Sequence, residues 1–311
     1  MLSLLLLAWI ILNVYTFIFK YFLIKELDLV ERYGKNTWVL ITGSSAGQGK
    51  QFALEFAKRG FNILLSGYKE ILDVKNKINI KYPTIQVKTI ITDFSNAYKK
   101  DYFKIFEKTI NELPGELSIL VNNVGYRVGW KNYHEMPEKM INDSIVVGTI
   151  VQSRMTQLAI QKFINRTHRS AIINITSQCM YPVLYPGKLG YISIPYTSVY
   201  DASNAFGFFH SNSIQKEYGE HFDVLNITPG SVTTENTEYM SYLPFSIHCK
   251  LFVRNILSML GQIQGPTCAY WGHEFSSILM NLTFGFSDVI LRNAGLAIAE
   301  NTKKYSSSSK A

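Results

Sequence analysis

The sequence predicts an α/β fold: a doubly wound parallel sheet preceded by one N-terminal transmembrane helix. Three observations lead there. Short apolar runs alternate with amphipathic stretches between residues 37 and 230, the pattern of strands buried on both faces and joined by crossover helices. The first run ends in a glycine-rich turn, Gly43 to Gly49, placed where a strand passes into a helix. Ahead of both, no charged side chain occurs from Met1 to Phe19. The 311 residues are 47% hydrophobic and 17% charged, which suits one large ordered domain and argues against disorder. The net charge of +8 comes from scattered lysines and arginines. A dense basic block is missing, so the balance points to an anionic cofactor or a membrane surface and away from nucleic acid.

Each element follows in order. The apolar N-terminal run continues past Lys20 to Ile24, close to the ~20 residues that span a bilayer as a helix. It lacks the basic start and small-residue cleavage site of a signal peptide. Tyr15, Phe17, Phe19, Tyr21 and Phe22 gather at its end and Lys20 and Lys25 flank them. An aromatic belt followed by cations places the globular part on the cytosolic side, or on the matrix side of a mitochondrial inner membrane. The reading is a single-pass anchor over residues 1–25, in endoplasmic reticulum or mitochondrial inner membrane, with a linker over 26–36. Strands are then expected at "TWVLIT", "FNILLS", "IQVKTIIT", "LSILVNN", "SAIINIT" and "FDVLNIT", and helices at "QFALEFAKRG", 69–80, 95–112, within 136–165, and from Ser198 to Tyr218. The main domain is expected over 37–272, and an apolar helical extension with a polar, Ser-rich tail over 273–311. Phe275 to Leu291 reads as a membrane-surface or tunnel element, since Asp288 interrupts it.

The turn Gly43-Ser44-Ser45-Ala46-Gly47-Gln48-Gly49 lets backbone approach a pyrophosphate at the N-terminus of the next helix. In a βαβ unit this is a Rossmann-type dinucleotide signature. Cys179, Cys249 and Cys268 have neither metal-ligand nor disulfide-ladder spacing and read as small buried hydrophobes; no metal is expected. His210 and His273 read as structural histidines in apolar surroundings.

The spacing TGxxxGxG resembles the short-chain dehydrogenase/reductases. Asp93 in "ITDFS", Asn122 to Gly125 in "NNVG", "NITS" ending at Ser177, and "PGSVTT" from Pro229 to Thr234 agree with that family in order. More narrowly, the N-terminal membrane helix with "YGKNTWVLITG" and "EFAKRGFNILL" resembles the membrane-bound very-long-chain 3-oxoacyl-CoA reductases and 17-beta-hydroxysteroid dehydrogenases. The resemblance implies reduction of a ketone on a hydrophobic substrate with hydride from NADPH. It implies that Asp93 meets the adenine, and that Pro229, Gly230, Val232 and Thr234 hold the nicotinamide. The second strand ends in Ser66-Gly67-Tyr68-Lys69 without a carboxylate, which favours NADP(H) over NAD. Tyr68 and Lys69 are then the residues beside the 2′-phosphate. Gln48 stands where the resemblance leads one to expect a packed isoleucine.

The resemblance also implies four catalytic roles: a tyrosine acid, a serine that holds the carbonyl oxygen, a lysine that lowers the tyrosine pKa, and a supporting asparagine. Ser177 and Tyr200 are present, but Asn204 occupies the lysine position, and Gly148 aligns with the asparagine while Asn142 lies six residues earlier as the alternative. An unperturbed tyrosine titrates near ~10, and a neutral amide cannot supply the charge that stabilises tyrosinate. Ser177 and Tyr200 stand 23 residues apart, a longer separation than the family's, with an insertion around 179–196. Lys188 inside it is a candidate substitute cation. Two readings follow: an accessory or structural subunit of a membrane assembly that binds NADP(H), and an active NADPH-dependent reductase of a 3-oxoacyl-CoA or ketosteroid. A homodimer or a larger membrane complex suits either.

Overall fold

The computed structural model describes residues 2–126, 132–178, 182–185, 188–191, 194–235, 237–238, 241–282, 293 and 296–297. Cys179, Asp288, the side chain of Lys188 and the Ser-rich tail lie outside the described residues. The chain opens with α1 (Leu2–Ile18), which continues as a π-helical turn over Phe19–Leu23. Ser3–Leu23 is long and apolar enough to cross a membrane. α2 (Leu29–Tyr33) starts at Asp28, whose carboxylate accepts the Val30 and Glu31 amides at 3.0 Å. The N-terminal half of the domain then runs β1 (Trp38–Thr42), α3 (Gly47–Lys58), β2 (Asn62–Gly67), α4 (Ile71–Lys81), β3 (Val87–Ile91), α5 (Lys104–Asn111) and β4 (Leu117–Asn122). α6 (Glu138–Ile145) passes through a π-helical turn, Val146–Val151, into α7 (Gln152–Phe163). β5 (Ala171–Ile175), a hairpin of β6 (Pro182–Tyr185) and β7 (Lys188–Tyr191), and α8 (Ser198–Tyr218) follow. The chain continues through β8 (Asp223–Ile227), the small pair β9 (Val232–Thr233) and β10 (Ile247–His248), α9 (Cys249–Met259), β11 (Gly265–Thr267) and α10 (Trp271–Leu282).

Seven strands form one parallel sheet in the order β11-β8-β5-β4-β1-β2-β3. All six expected strands are there. β11 was not expected, because three residues opening on Gly265-Pro266 are too short to carry a periodicity. It pairs at the sheet edge with β8, where a proline costs least. Alternate residues of each inner strand feed opposite cores: Val39 and Ile41 enter one cluster with α3, α4 and α9, and Trp38 and Leu40 enter the other with α5 and α7.

Three boundaries differ from expectation. The stretch 26–36 is folded into the domain. Leu29 and Tyr33 are buried, and Tyr33 Oη donates to Asp223 at 2.7 Å. The helix expected over 95–112 is broken by Asp101 at φ +69°, leaving a 3-10 turn at Phe94–Asn96 and the shorter α5. No break falls at residue 273, because α10 starts at Trp271 and buries His273 and Ser277 against the domain.

Asp223 opens β8 and ties three segments together. Arg32 donates to it twice, at 2.7 and 3.0 Å, and Arg169 at 2.9 and 3.1 Å. Burial works against its charge, but the bonds from Arg32 and Tyr33 outweigh that and hold the carboxyl below the usual range.

Candidate functional site

The strand order reverses between β1 and β4, which sends their following loops to opposite sides and opens a crevice at the carboxyl ends. The residues from the glycine turn and from "NNVG" meet there. A Cβ built on Gly43 (φ +66°) would lie 2.9 Å from Val124 Cα. One on Gly49 would lie 2.2 Å from the Gly43 carbonyl oxygen, so this turn admits no side chain at either position. Asn123 clamps the crossing by donating from Nδ2 to the Thr42 and Gly43 carbonyls at 3.0 and 3.2 Å. It was not singled out from the sequence, though the Asn122-Asn123 doublet is its signal.

Several features fit a dinucleotide. α3 begins at Ala46 without a side-chain cap, leaving its first amides for another acceptor. Gln48 Oε1 is buried without a protein partner. Space opens around Gly125, where an added Cβ would meet nothing within 4 Å. Asn122 is buried, with Nδ2 donating to Thr156 and Asn174 at 3.0 and 2.8 Å, and its Oδ1 has no partner. Ser44 differs in kind: its hydroxyl is engaged with the Ser66 backbone at 3.0 and 3.2 Å, closing the turn onto β2. Ser45 Oγ reaches the Tyr68 carbonyl at 3.4 Å. Tyr68 is exposed and its hydroxyl lies 3.4 Å from Asp93, whose carboxylate also accepts the Ser95 amide at 2.9 Å. Burial and then the Asp93 charge push the Tyr68 phenol up. Lys69 is exposed beside it.

One acidic group sits at the same end. Glu235, next to Thr234, pairs with Lys50 of α3 at 2.6 Å. The bond from Lys50 holds its carboxyl below the usual range. Thr234 covers Gly47, where an added Cβ would lie 3.3 Å from the Thr234 methyl. Through Lys50, in the first turn of α3, the carboxylate is tied to the end of the helix that a phosphate would use.

At the chemical end, Ser177 is buried just past β5, and Tyr200 lies in the first turn of α8 beside Met136, Val199, Tyr126, Met140 and Ile141. Asn204 Nδ2 donates to the Tyr200 carbonyl at 2.9 Å, within its own helix. Gly148, which the resemblance aligns with the supporting asparagine, falls in the π-helical turn. A Cβ there would lie 2.6 Å from Ser203 Cβ on α8. One turn on, Gly207 would bring a Cβ within 2.6 Å of Gln152 Oε1 and 3.1 Å of Thr176 Cγ2. α8 thus presses onto the π-helical turn and the end of β5 through glycines.

Gln178, which the sequence reading passed over, joins Ser177 to the "PGSVTT" segment. Its amide donates to the Pro229 carbonyl at 2.9 Å, and its side chain donates to the His273 carbonyl and, at 2.8 Å, to Ser277 Oγ. An added Cβ on Gly230 would lie 2.5 Å from Gln178 Oε1 and 2.8 Å from His273 Cδ2. Val232 is buried in β9 and pairs with Ile247. Thr234 donates its amide to Thr237 Oγ1 at 2.8 Å. His273 Nε2 lies 3.1 Å from the Ser231 carbonyl, and burial pushes its imidazole down to about 4. His210 stacks on Phe206 at 5.6 Å, and burial lowers its pKa too.

The family model described as short chain dehydrogenase matches residues 37–242. A very-long-chain 3-oxoacyl-CoA reductase of Aspergillus niger is 28% identical over 291 residues, covering 87% of this chain and 77% of its own length. A hydroxysteroid dehydrogenase-like protein 1 of Gallus gallus is 28% identical over 267 residues, covering 83% and 74%. The structure of a short-chain dehydrogenase from Sphingobium yanoikuyae in complex with NADPH superposes with a TM-score of 0.61 at 22% identity, covering 74% of this chain and 87% of that one. With the parallel sheet and the glycine crossing in place, the chain belongs to the short-chain dehydrogenase family.

Proposed function

We propose that this chain is a membrane-anchored short-chain dehydrogenase that binds NADP(H), is catalytically impaired, and serves as an accessory or structural subunit of a membrane assembly, for example a mitochondrial complex. The observation that carries impairment is Asn204, whose amide is spent on the Tyr200 carbonyl where the chemistry needs a cation. Nucleotide binding is supported by the uncapped start of α3, the unpartnered Gln48 oxygen and the open space at Gly125. The preference for NADP(H) rests on Tyr68 and Lys69, with no carboxylate at the end of β2. When bound, NADPH would supply the hydride. Ser177 would hold the ketone oxygen, and Tyr200 would have to donate the proton without a neighbouring lysine.

Residues 1–25 are the membrane-lipid contact in this reading. Lys20 is buried against Glu274, so the exposed Lys25 is the flanking cation that argues for a cytosolic or matrix-side domain. Phe206 and Phe209, exposed on α8, support a homodimer or larger complex. The second reading, an active reductase of a 3-oxoacyl-CoA or ketosteroid, is favoured by relatives of those names aligning over 83–87% of the chain.

Binding of NADPH and turnover of both ketone classes by the purified full chain separate the readings. We expect binding with very slow turnover. We also expect Asn204→Lys to raise kcat/KM by about 10²-fold or more, in line with the worth of a tuned general acid. Robust wild-type turnover abolished by Tyr200→Phe would overturn impairment.

A further inference from the structure

α10 is turned inside out relative to an ordinary surface helix. Its polar residues His273 and Ser277 are buried against Gln178 and Ser231. Trp271, Phe275, Ile278 and Leu279 face outward, at 37%, 44%, 45% and 50% exposure. Spaced i, i+4, i+7 and i+8, they make one apolar stripe. Phe245 extends it, with its ring 5.8 Å from both Trp271 and Phe275. A soluble domain gains nothing by pointing its polar residues inward and such a stripe outward.

The position of α10 says what covers the stripe. Glu274, on the flank of the same helix, accepts from Lys20 and from Tyr21 Oη, both in the π-helical turn that ends the apolar N-terminal helix. Tyr21, Ile24 and Leu27 pack on the domain core, while Phe19, Phe22 and Leu23 stay exposed. α10 is therefore bonded to the last turn of the anchor, at the depth where a spanning helix leaves the bilayer. Tryptophan and phenylalanine are residues suited to that depth.

We propose that the outward face of α10 lies in the lipid surface as a second membrane contact beside the anchor. This rests on reading residues 1–25 as a membrane anchor. Two contacts fix what a single helix leaves free, the rotation of the domain on its stalk. Because His273 and Gln178 hold Ser231 and Pro229, they also turn the "PGSVTT" side of the candidate site toward the bilayer, the side from which an apolar substrate would arrive.

The chain contains four tryptophans, Trp9, Trp38, Trp130 and Trp271, so fluorescence reads both contacts. The full chain is reconstituted into phosphatidylcholine vesicles with brominated acyl chains, which quench tryptophans in contact with lipid. Trp9→Phe removes the anchor's reporter. Quenching is expected to persist in that variant, and to fall to the level of the background tryptophans when Trp271→Phe is added. Equal quenching with and without Trp271 overturns the proposal, as it would if a second copy or the chain's own C-terminal residues covered the stripe. If Trp9 contributes no quenching but Trp271 does, the anchor reading fails and the α10 contact stands.

Discussion

In the proposed reading, Asn204 is the side chain that limits the chemistry. The amide is the right size for its place in α8, but its donor is used locally on the Tyr200 carbonyl, and an amide carries no charge to stabilise tyrosinate. In the same reading, Gly148 stands in place of the supporting asparagine. α8 has moved into the space a side chain would take, with a would-be Cβ 2.6 Å from Ser203. Restoring charge at 204 is therefore a cleaner test than restoring an amide at 148, which would have to push a helix aside. Glu235 supplies a second prediction at this scale. Its carboxylate pairs with Lys50 in the first turn of α3, where it competes with an incoming phosphate. Glu235→Gln is expected to tighten NADPH binding about two- to five-fold, the worth of one carboxylate at a helix N-terminus. Titration calorimetry of the two proteins checks this; unchanged or weaker binding would make Glu235 a prop of the loop.

Among elements, α2 and β8 form the least expected pair. Arg32 and Tyr33 reach back across most of the chain to Asp223, and Arg169 joins them. Removing the carboxylate strands two guanidinium groups, each about one-third exposed. Asp223→Ala is therefore expected to cost about 3 kcal/mol, the low end for breaking a buried pair, measured by urea unfolding in detergent. The folded pKa of Asp223 is depressed. Its contribution is thus present above the ordinary carboxyl range and lost only as pH falls below about 4. α10 is held by a different means, a histidine that must stay neutral. Its folded pKa of about 4 lies below its ordinary value of 6.5. As pH falls through that window, the unfolded chain takes a proton that the folded chain refuses. Stability should drop by about 2 kcal/mol between pH 7 and pH 5, and unfolding curves of His273→Phe should lack that drop.

For the whole molecule, the apolar N-terminal helix and the candidate site are joined in one structure. The π-helical turn that ends the apolar N-terminal helix bonds to Glu274, the preceding residue in α10 is His273, and His273 rests on Ser231 beside the candidate site. None of this was legible in the sequence, where Lys20 read as a flanking cation and His273 as a lone core histidine. Most of the fold was legible, because hydrophobic periodicity, strand-ending turns and glycine spacing are local signals written over a few adjacent residues. β1 to β5, β8, the Gly43–Gly49 turn and the placing of Asn204 four residues after Tyr200 all follow from such signals. β11 was too short to carry one, and Asp101 broke a helix that periodicity alone would have continued. By itself the sequence determined the family framework and placed an asparagine at position 204, four residues after Tyr200. The tertiary structure decided where the Asn204 amide points, that α8 closes the space at Gly148, that Glu235 pairs with Lys50 in the first turn of α3, and that α10 turns its apolar side outward. Those outcomes depend on contacts between residues distant in the chain, which no local pattern encodes.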